Sequence, residues 1–185
     1  PATTVQCYTD LPSQTSYTEI EFESLGNANG LIGNNPCGVI EITASNSANA
    51  GTCPQTITRT YIVTEYVDSN NNDIRDTGEN TVLNTTTCTQ NITVEDTIAP
   101  AFVQALPANT TVECSAVPTA AVLTATDNCT APQTVTYAET RTDGSCTNNY
   151  TLARVWTATD ACGNTTSHTQ TITVQDTTAP VVTGT

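Results

Sequence analysis

The chain repeats itself, and the repeat limits what it can fold into. Asn91-Ile92-Thr93-Val94-Glu95-Asp96-Thr97-Ile98-Ala99-Pro100 matches Thr171-Ile172-Thr173-Val174-Gln175-Asp176-Thr177-Thr178-Ala179-Pro180. Val5-Gln6-Cys7 returns as Val112-Glu113-Cys114, and Gly51-Thr52-Cys53 as Gly144-Ser145-Cys146. Cys37 and Cys88 then fall opposite Cys129 and Cys162. The 185 residues are thus expected to hold two copies of a four-cysteine module, residues 1–97 and 98–180. The ends extend the pattern. Pro1-Ala2-Thr3-Thr4-Val5-Gln6-Cys7 matches the segment Pro107–Cys114, and the tail from Ala179 matches the segment that begins Ala99-Pro100. Residues 181–185 therefore read as the first strand of a further module, or as a strand donated to the next subunit. A head-to-tail contact of either kind that does not close into a ring builds an open fibre. With no initiating Met and no signal peptide, the chain reads as processed or as a slice of something longer.

Thr and Val favour strands, while Asn with the nine Gly and nine Pro favours turns. Lys and Met are absent and no long amphipathic helix is visible, so the fold class is all-β. In the second module, residues 110–113, 120–126, 134–140, 150–157 and 169–174 read as strands, separated by Asp127-Asn128, Asp143-Gly144 and Gly163-Asn164 turns. Short strands at this spacing predict two tandem Ig-like β-sandwich modules, head to tail. Trp156 reads as core. His168, alone in a Thr-rich strand, reads as solvent-facing.

Eight cysteines without a CxxC pair point to disulfides and an oxidising, extracellular or cell-surface location rather than zinc. Successive antiparallel strands alternate between the poles of a sandwich. Cys114 and Cys146 then share one pole, Cys129 and Cys162 the other. Spanning a strand of ~20 Å is impossible for bonded cysteines, whose Cα atoms lie about 4.4–6.8 Å apart. The expected bonds are Cys114–Cys146 and Cys129–Cys162, and by alignment Cys7–Cys53 and Cys37–Cys88. The sequence leaves other connectivities open.

Eighteen acids against four arginines give a formal charge of −14, which argues against nucleic acid as a partner and suits a chain that collects cations. No apolar run is long enough to span a membrane. The first module carries an insertion that the second lacks, Asp68-Ser69-Asn70-Asn71-Asn72-Asp73-Ile74-Arg75-Asp76-Thr77-Gly78-Glu79. Oxygen side chains at its first, third, fifth, ninth and twelfth positions have the ligand spacing of an EF-hand loop. Asp68, Asn70, Asn72, Asp76 and Glu79 would supply side-chain oxygens and Ile74 its carbonyl, a hard-oxygen set suited to Ca²⁺. Asp73 stands where Gly is usual, but Asp tolerates a left-handed backbone better than most residues.

A second Ca²⁺ set is expected at junctions between modules. The tetrad Thr124-Ala125-Thr126-Asp127 recurs as Thr157-Ala158-Thr159-Asp160. Glu95 or Asp96 with Asp127 and Asp160, and Asn164 in the nearby turn, would repel one another without a cation. Asp176 would serve the next junction. The competing reading is ordinary turn aspartates bonded to their own backbone.

The segment from Val112 to Pro180 resembles tandem Ig-like, hyalin-repeat-like modules of large secreted adhesins and cell-surface proteins of Bacteroidota. The resemblance rests on Glu113-Cys114, on Thr126-Asp127-Asn128-Cys129, on the run Arg154–Asn164 with its Trp156 and Cys162-Gly163-Asn164, and on Val174–Pro180. Residues 66–80 are similar to the calcium loop between β-strands of B-type repeats in bacterial surface adhesins. The first module departs from the pattern, with no Trp and no Cys-Gly-Asn turn. The resemblance implies an exported stalk or fibre and no enzyme activity. The residues agree, since no Ser-His-Asp or Cys-His constellation can be drawn. The expected function is structural, a calcium-stabilised extracellular filament whose partners are copies of itself. The alternative is an adhesin module that binds a cell-surface or glycan ligand, for which only Tyr8, Tyr17, Tyr61 and Tyr66 could serve as aromatic contacts.

Overall fold

The computed structural model describes residues 3–25, 38–51, 53–129, 133–179 and 181–182. It is all-β and divides into two compact units, Pro1–Asp96 and Thr97–Thr185. The first contains β1 (Thr3–Val5), β2 (Ser16–Tyr17), β3 (Gly38–Asn46), β4 (Gln55–Val67) and β5 (Val82–Val94), in the sheet order β1-β5-β4-β3-β2. The second contains β6 (Ala101–Phe102), β7 (Thr110–Glu113), β8 (Ala125–Thr126), β9 (Thr134–Asp143), β10 (Tyr150–Thr159) and β11 (Thr165–Gln175). Its main sheet runs β7-β11-β10-β9, and β6 pairs with β8 as a second, two-stranded sheet.

The internal repeat is now visible as register. β1 runs parallel to β5, with Val5 beside Val94, and β7 runs parallel to β11, with Val112 beside Val174. Ile57 lies opposite Ile92, as Leu152 lies opposite Ile172. Alternation then dictates the rest of each inward face: Ile57, Arg59 and Tyr61 on β4, Leu152, Arg154 and Trp156 on β10. Leu11, Ile57, Ile92 and Val94 form one cluster of the first unit, and Phe22, Ile42, Ala44 and Tyr61 another. Leu152, Ile172 and Val174 form the core of the second, with Val112, Cys114 and Tyr150 packed against it. Each fully buried aliphatic or aromatic side chain contributes about 1.5–3 kcal/mol.

Several expectations meet the structure directly. The strands at 110–113, 134–140, 150–157 and 169–174 are present, the last three extended. Of 120–126 only Ala125–Thr126 pairs as a strand. Trp156 is buried, with 1% exposure, and its indole N–H donates to the Ala121 carbonyl at 3.0 Å. His168 is corrected: it lies opposite Trp156 on the core side of β11, and its Nε2 hydrogen-bonds the Pro107 carbonyl at 2.9 Å. Its position is even in a strand whose odd positions face solvent, a phase the isolated-histidine reading overlooked. A six-residue helix, α1 (Glu19–Ser24), was also unforeseen. Thr18 caps it, accepting from the Glu21 N–H while Glu21 accepts from the Thr18 N–H, and Phe22 anchors it in the core.

The cysteines divide. Cys7, Cys53, Cys129 and Cys162 are disulfide-bonded. Each unit holds two of them, Cys7 and Cys53 in the first and Cys129 and Cys162 in the second. In the first unit Val5, Val94 and Gln55 stand side by side, which brings Cys7 and Cys53 to one end of the sheet. The expected Cys114–Cys146 bond is corrected, since both are free thiols. They share a pole, as expected. Cys114, however, packs on the core, while Cys146 sits in an exposed turn closed on itself by Gly144 N–H to Asn149 O at 2.8 Å and Asn149 N–H to Cys146 O at 2.9 Å. Cys88 is likewise a free thiol, and Cys37 lies outside the described residues. The alignment of Cys88 with Cys162 fails because Cys88 is mid-strand opposite Tyr61, the place His168 holds opposite Trp156. Of the tail 181–185, Val181 and Val182 are 85% and 92% exposed, and 183–185 lie outside the described residues.

Candidate metal centre

The loop 68–79 connects the two longest strands, β4 and β5. The ladder shifts register between Glu65 and Tyr66, then ends with Val67 N–H donating to Thr81 O at 3.0 Å. Beyond that point the backbone has no strand partner, and the loop's own side chains take over. Asp68 accepts the N–H groups of Asn70 (3.3 Å), Asn72 (3.4 Å) and Asp73 (2.8 Å). Asn70 Oδ1 accepts the Asn72 N–H at 3.2 Å, and Asn72 Oδ1 accepts the Ile74 N–H at 2.9 Å. Short oxygen-bearing side chains bonding to backbone N–H groups just ahead hold the chain in a tight coil.

The far end closes the coil. Glu79 is buried, and its two oxygens accept the Ser69 N–H at 2.7 Å and the Asp76 N–H at 3.0 Å, tying both ends of the loop to one carboxylate. The amides of Asn70 and Asn72 both donate to Asp76 Oδ2, at 2.7 and 2.9 Å. Side chains 70, 72 and 76 therefore share one small interior. Asn71, Asp73 and Gly78 have φ of 53, 57 and 111°, so Asp73 adopts the left-handed conformation that the sixth position requires. For Asp68, burial pushes the carboxyl up, but the backbone N–H groups of Asp73, Asn72, Asn70 and Asn71 outweigh it and hold it below the usual aspartate value. Arg75 is turned away from this interior. Its guanidinium stacks 3.8 Å from the Tyr66 ring centroid and pairs with Glu41 at 2.8 Å. The donor set is all oxygen, with carboxylates from Asp68, Asp76 and Glu79 and amides from Asn70 and Asn72. That chemistry fits a hard divalent cation of the size of Ca²⁺.

The other acids expected as ligands are placed within their own units. Glu95 is exposed and Asp96 is buried at the end of the first. Asp127 accepts the Cys129 N–H at 3.2 Å. Asp160 is buried in a turn that it braces, accepting from the N–H groups of Cys162 and Asn164, both at 2.8 Å, and from the Asn164 amide at 2.8 Å. Asp176 accepts the Thr178 N–H at 3.1 Å.

Sequence reasoning missed two arginines. Arg59 is 1% exposed, and all its acceptors are neutral. It donates to Tyr61 Oη (3.2 Å), Pro12 O (2.9 Å), Asn46 Oδ1 (2.7 Å), Tyr17 Oη (2.7 Å) and Gln14 O. Arg154 occupies the same place in the second unit, donating to Pro118 O at 2.8 Å and pairing with Glu139 at 2.7 Å. In both units the arginine fastens the segment after the first long-range strand to the middle of the main sheet. The signal was present in the sequence: a charged residue in the inward phase of a strand, twice.

Residues 102–174 match the family model described as "HYR-like domain with 4 cysteines". No curated protein matches the chain. The match covers most of the second unit, which over that stretch is similar to an extracellular, adhesion-type module.

Proposed function

We propose that the chain is a structural segment of an extracellular filament or stalk, made of repeated Ig-like modules and stiffened by Ca²⁺ in the loop 68–79. The observation that carries this reading is the convergence of Asp68, Asn70, Asn72, Asp76 and Glu79 in a single coil that extends the longest hairpin of the first unit. A bound Ca²⁺ would replace the amide-to-Asp76 bonds with shared coordination and offset repulsion among the three carboxylates. The internal repeat supports the tandem architecture, and the family match supports the extracellular setting.

Calorimetric titration of CaCl₂ into EDTA-stripped protein tests the reading. Binding with a rise in thermal stability is expected for the natural chain, with loss of the loop's site in Glu79→Gln. Identical titrations for the two proteins would refute the assignment.

A further inference from the structure

The main sheet of each unit buries one face and exposes the other, and the exposed face is paved with hydroxyls. On β11 the outward residues are Thr165, Ser167, Thr169, Thr171, Thr173 and, at the strand's end, Gln175. On β9 they are threonines except for Ala138, and on β10 threonines except for Ala153 and Val155. The register sets them in straight cross-strand rows such as Thr173–Thr151–Thr142 and Thr165–Thr159–Thr134. Thr157 and Ser167 touch across the strands, their hydroxyls 3.0 Å apart. In a chain with formal charge −14, no charged residue stands at any outward position of these three strands, and the fourth, the edge strand β7, adds Glu113 beside Gln175 at its end. Glu139, Arg141 and Asp143 all fall on the opposite phase of β9. The first unit repeats the design, with threonine pairs Thr56–Thr93, Thr60–Thr89 and Thr64–Thr85 on its outward face. Its one outward charge on β3, β4 and β5 is Glu41, already neutralised by Arg75.

We propose that these threonine-paved faces are the surfaces by which copies of this chain in neighbouring filaments stack side by side. Like-charged copies repel one another wherever carboxylates meet. A charge-free face lets two of them approach without burying an unpaired ion. The methyl and hydroxyl groups of threonine suit face-to-face sheet packing at about 10 Å, with short identical side chains interdigitating. The area sets the strength. A face three strands wide and ten residues long covers roughly 480 Å², against the ~800 Å² per partner of a stable pairwise interface. A single contact is therefore weak and reversible. Repetition along a filament multiplies it, which is how weak contacts hold bundles together. The proposal rests on the filament reading for that repetition, while the pairwise contact belongs to the chain itself.

Sedimentation velocity of the concentrated chain at low and high NaCl tests it, with the triple variant Thr87→Glu, Thr140→Glu, Thr169→Glu beside it. A second triple, Ile20→Glu, Val103→Glu, Val122→Glu, adds the same charge at exposed positions outside the faces. Screening of the −14 charge should drive reversible association of the natural chain at high salt. The face triple should lose this association and the control triple keep it. A natural chain that stays monomeric, or a face triple that associates as well as its parent, overturns the proposal. So does retention of a monomeric natural chain on crystalline cellulose that the face triple loses, which would assign the face to a foreign polymer. Calcium-dependent elongated oligomers that persist in the face triple would show head-to-tail assembly surviving without stacking. Stacking without elongation would instead remove the filament reading and leave the pairwise contact standing.

Discussion

Arg59 is a cation held entirely by neutral acceptors, and its burial is tolerable because five oxygens surround it. The Tyr17 and Tyr61 rings lie 5.8 and 5.3 Å from its guanidinium carbon. Arg59→Met keeps the bulk but strands those oxygens, each a buried acceptor costing about 1–3 kcal/mol when unmade. The variant should lose roughly 3 kcal/mol or more of stability in the first unit, read by urea unfolding. The free thiols make a second residue-scale case. Cys88 is pushed above the usual thiol value by burial, whereas Cys146 lies exposed in its turn. Native alkylation followed by peptide mass analysis should label Cys146 first and Cys88 last.

At the scale of elements, β9 is an edge strand secured partly by one cross-strand ion pair. Arg154 donates to Glu139 directly across the β9–β10 ladder. That bond holds the Glu139 carboxyl below its ordinary 4.5, against a smaller upward push from burial. The pair therefore contributes fully above that pH and is lost as pH falls through the lower folded value. The acid limb of the second unit's stability curve should flatten in Glu139→Gln, measured by thermal melts from neutral pH downward. The strands of this ladder were legible because Leu152, Trp156, Ile172 and Val174 alternate with polar residues. The helix α1 was not, although Thr18-Glu19-Ile20-Glu21 carries a capping box. Six residues are too few for a periodic signal, and only the pocket that takes Phe22 makes the helix worthwhile.

For the whole molecule, two compact units, each with its own buried clusters, predict two unfolding events. Calorimetry should resolve two transitions. Ca²⁺ should raise only the one belonging to the unit that carries residues 68–79. Cys129→Ser should lower only the other, by roughly 3–4 kcal/mol if loop closure governs the effect.

The sequence by itself determined the internal repeat, the apolar alternation of the main strands and the oxygen spacing of the loop. These depend on local patterning, and period-2 alternation and turn chemistry are written along the chain. Tertiary structure alone decided that Cys114 and Cys146, though at one pole, do not bond. It also decided that Cys88 takes the place of His168 rather than of Cys162. The orientation of a thiol depends on which turn closes on itself and which side chain the core accepts. The threonine faces belong between these cases. Alternation puts the hydroxyls on one side of each strand, but only the register of β9, β10 and β11 aligns them into a charge-free surface.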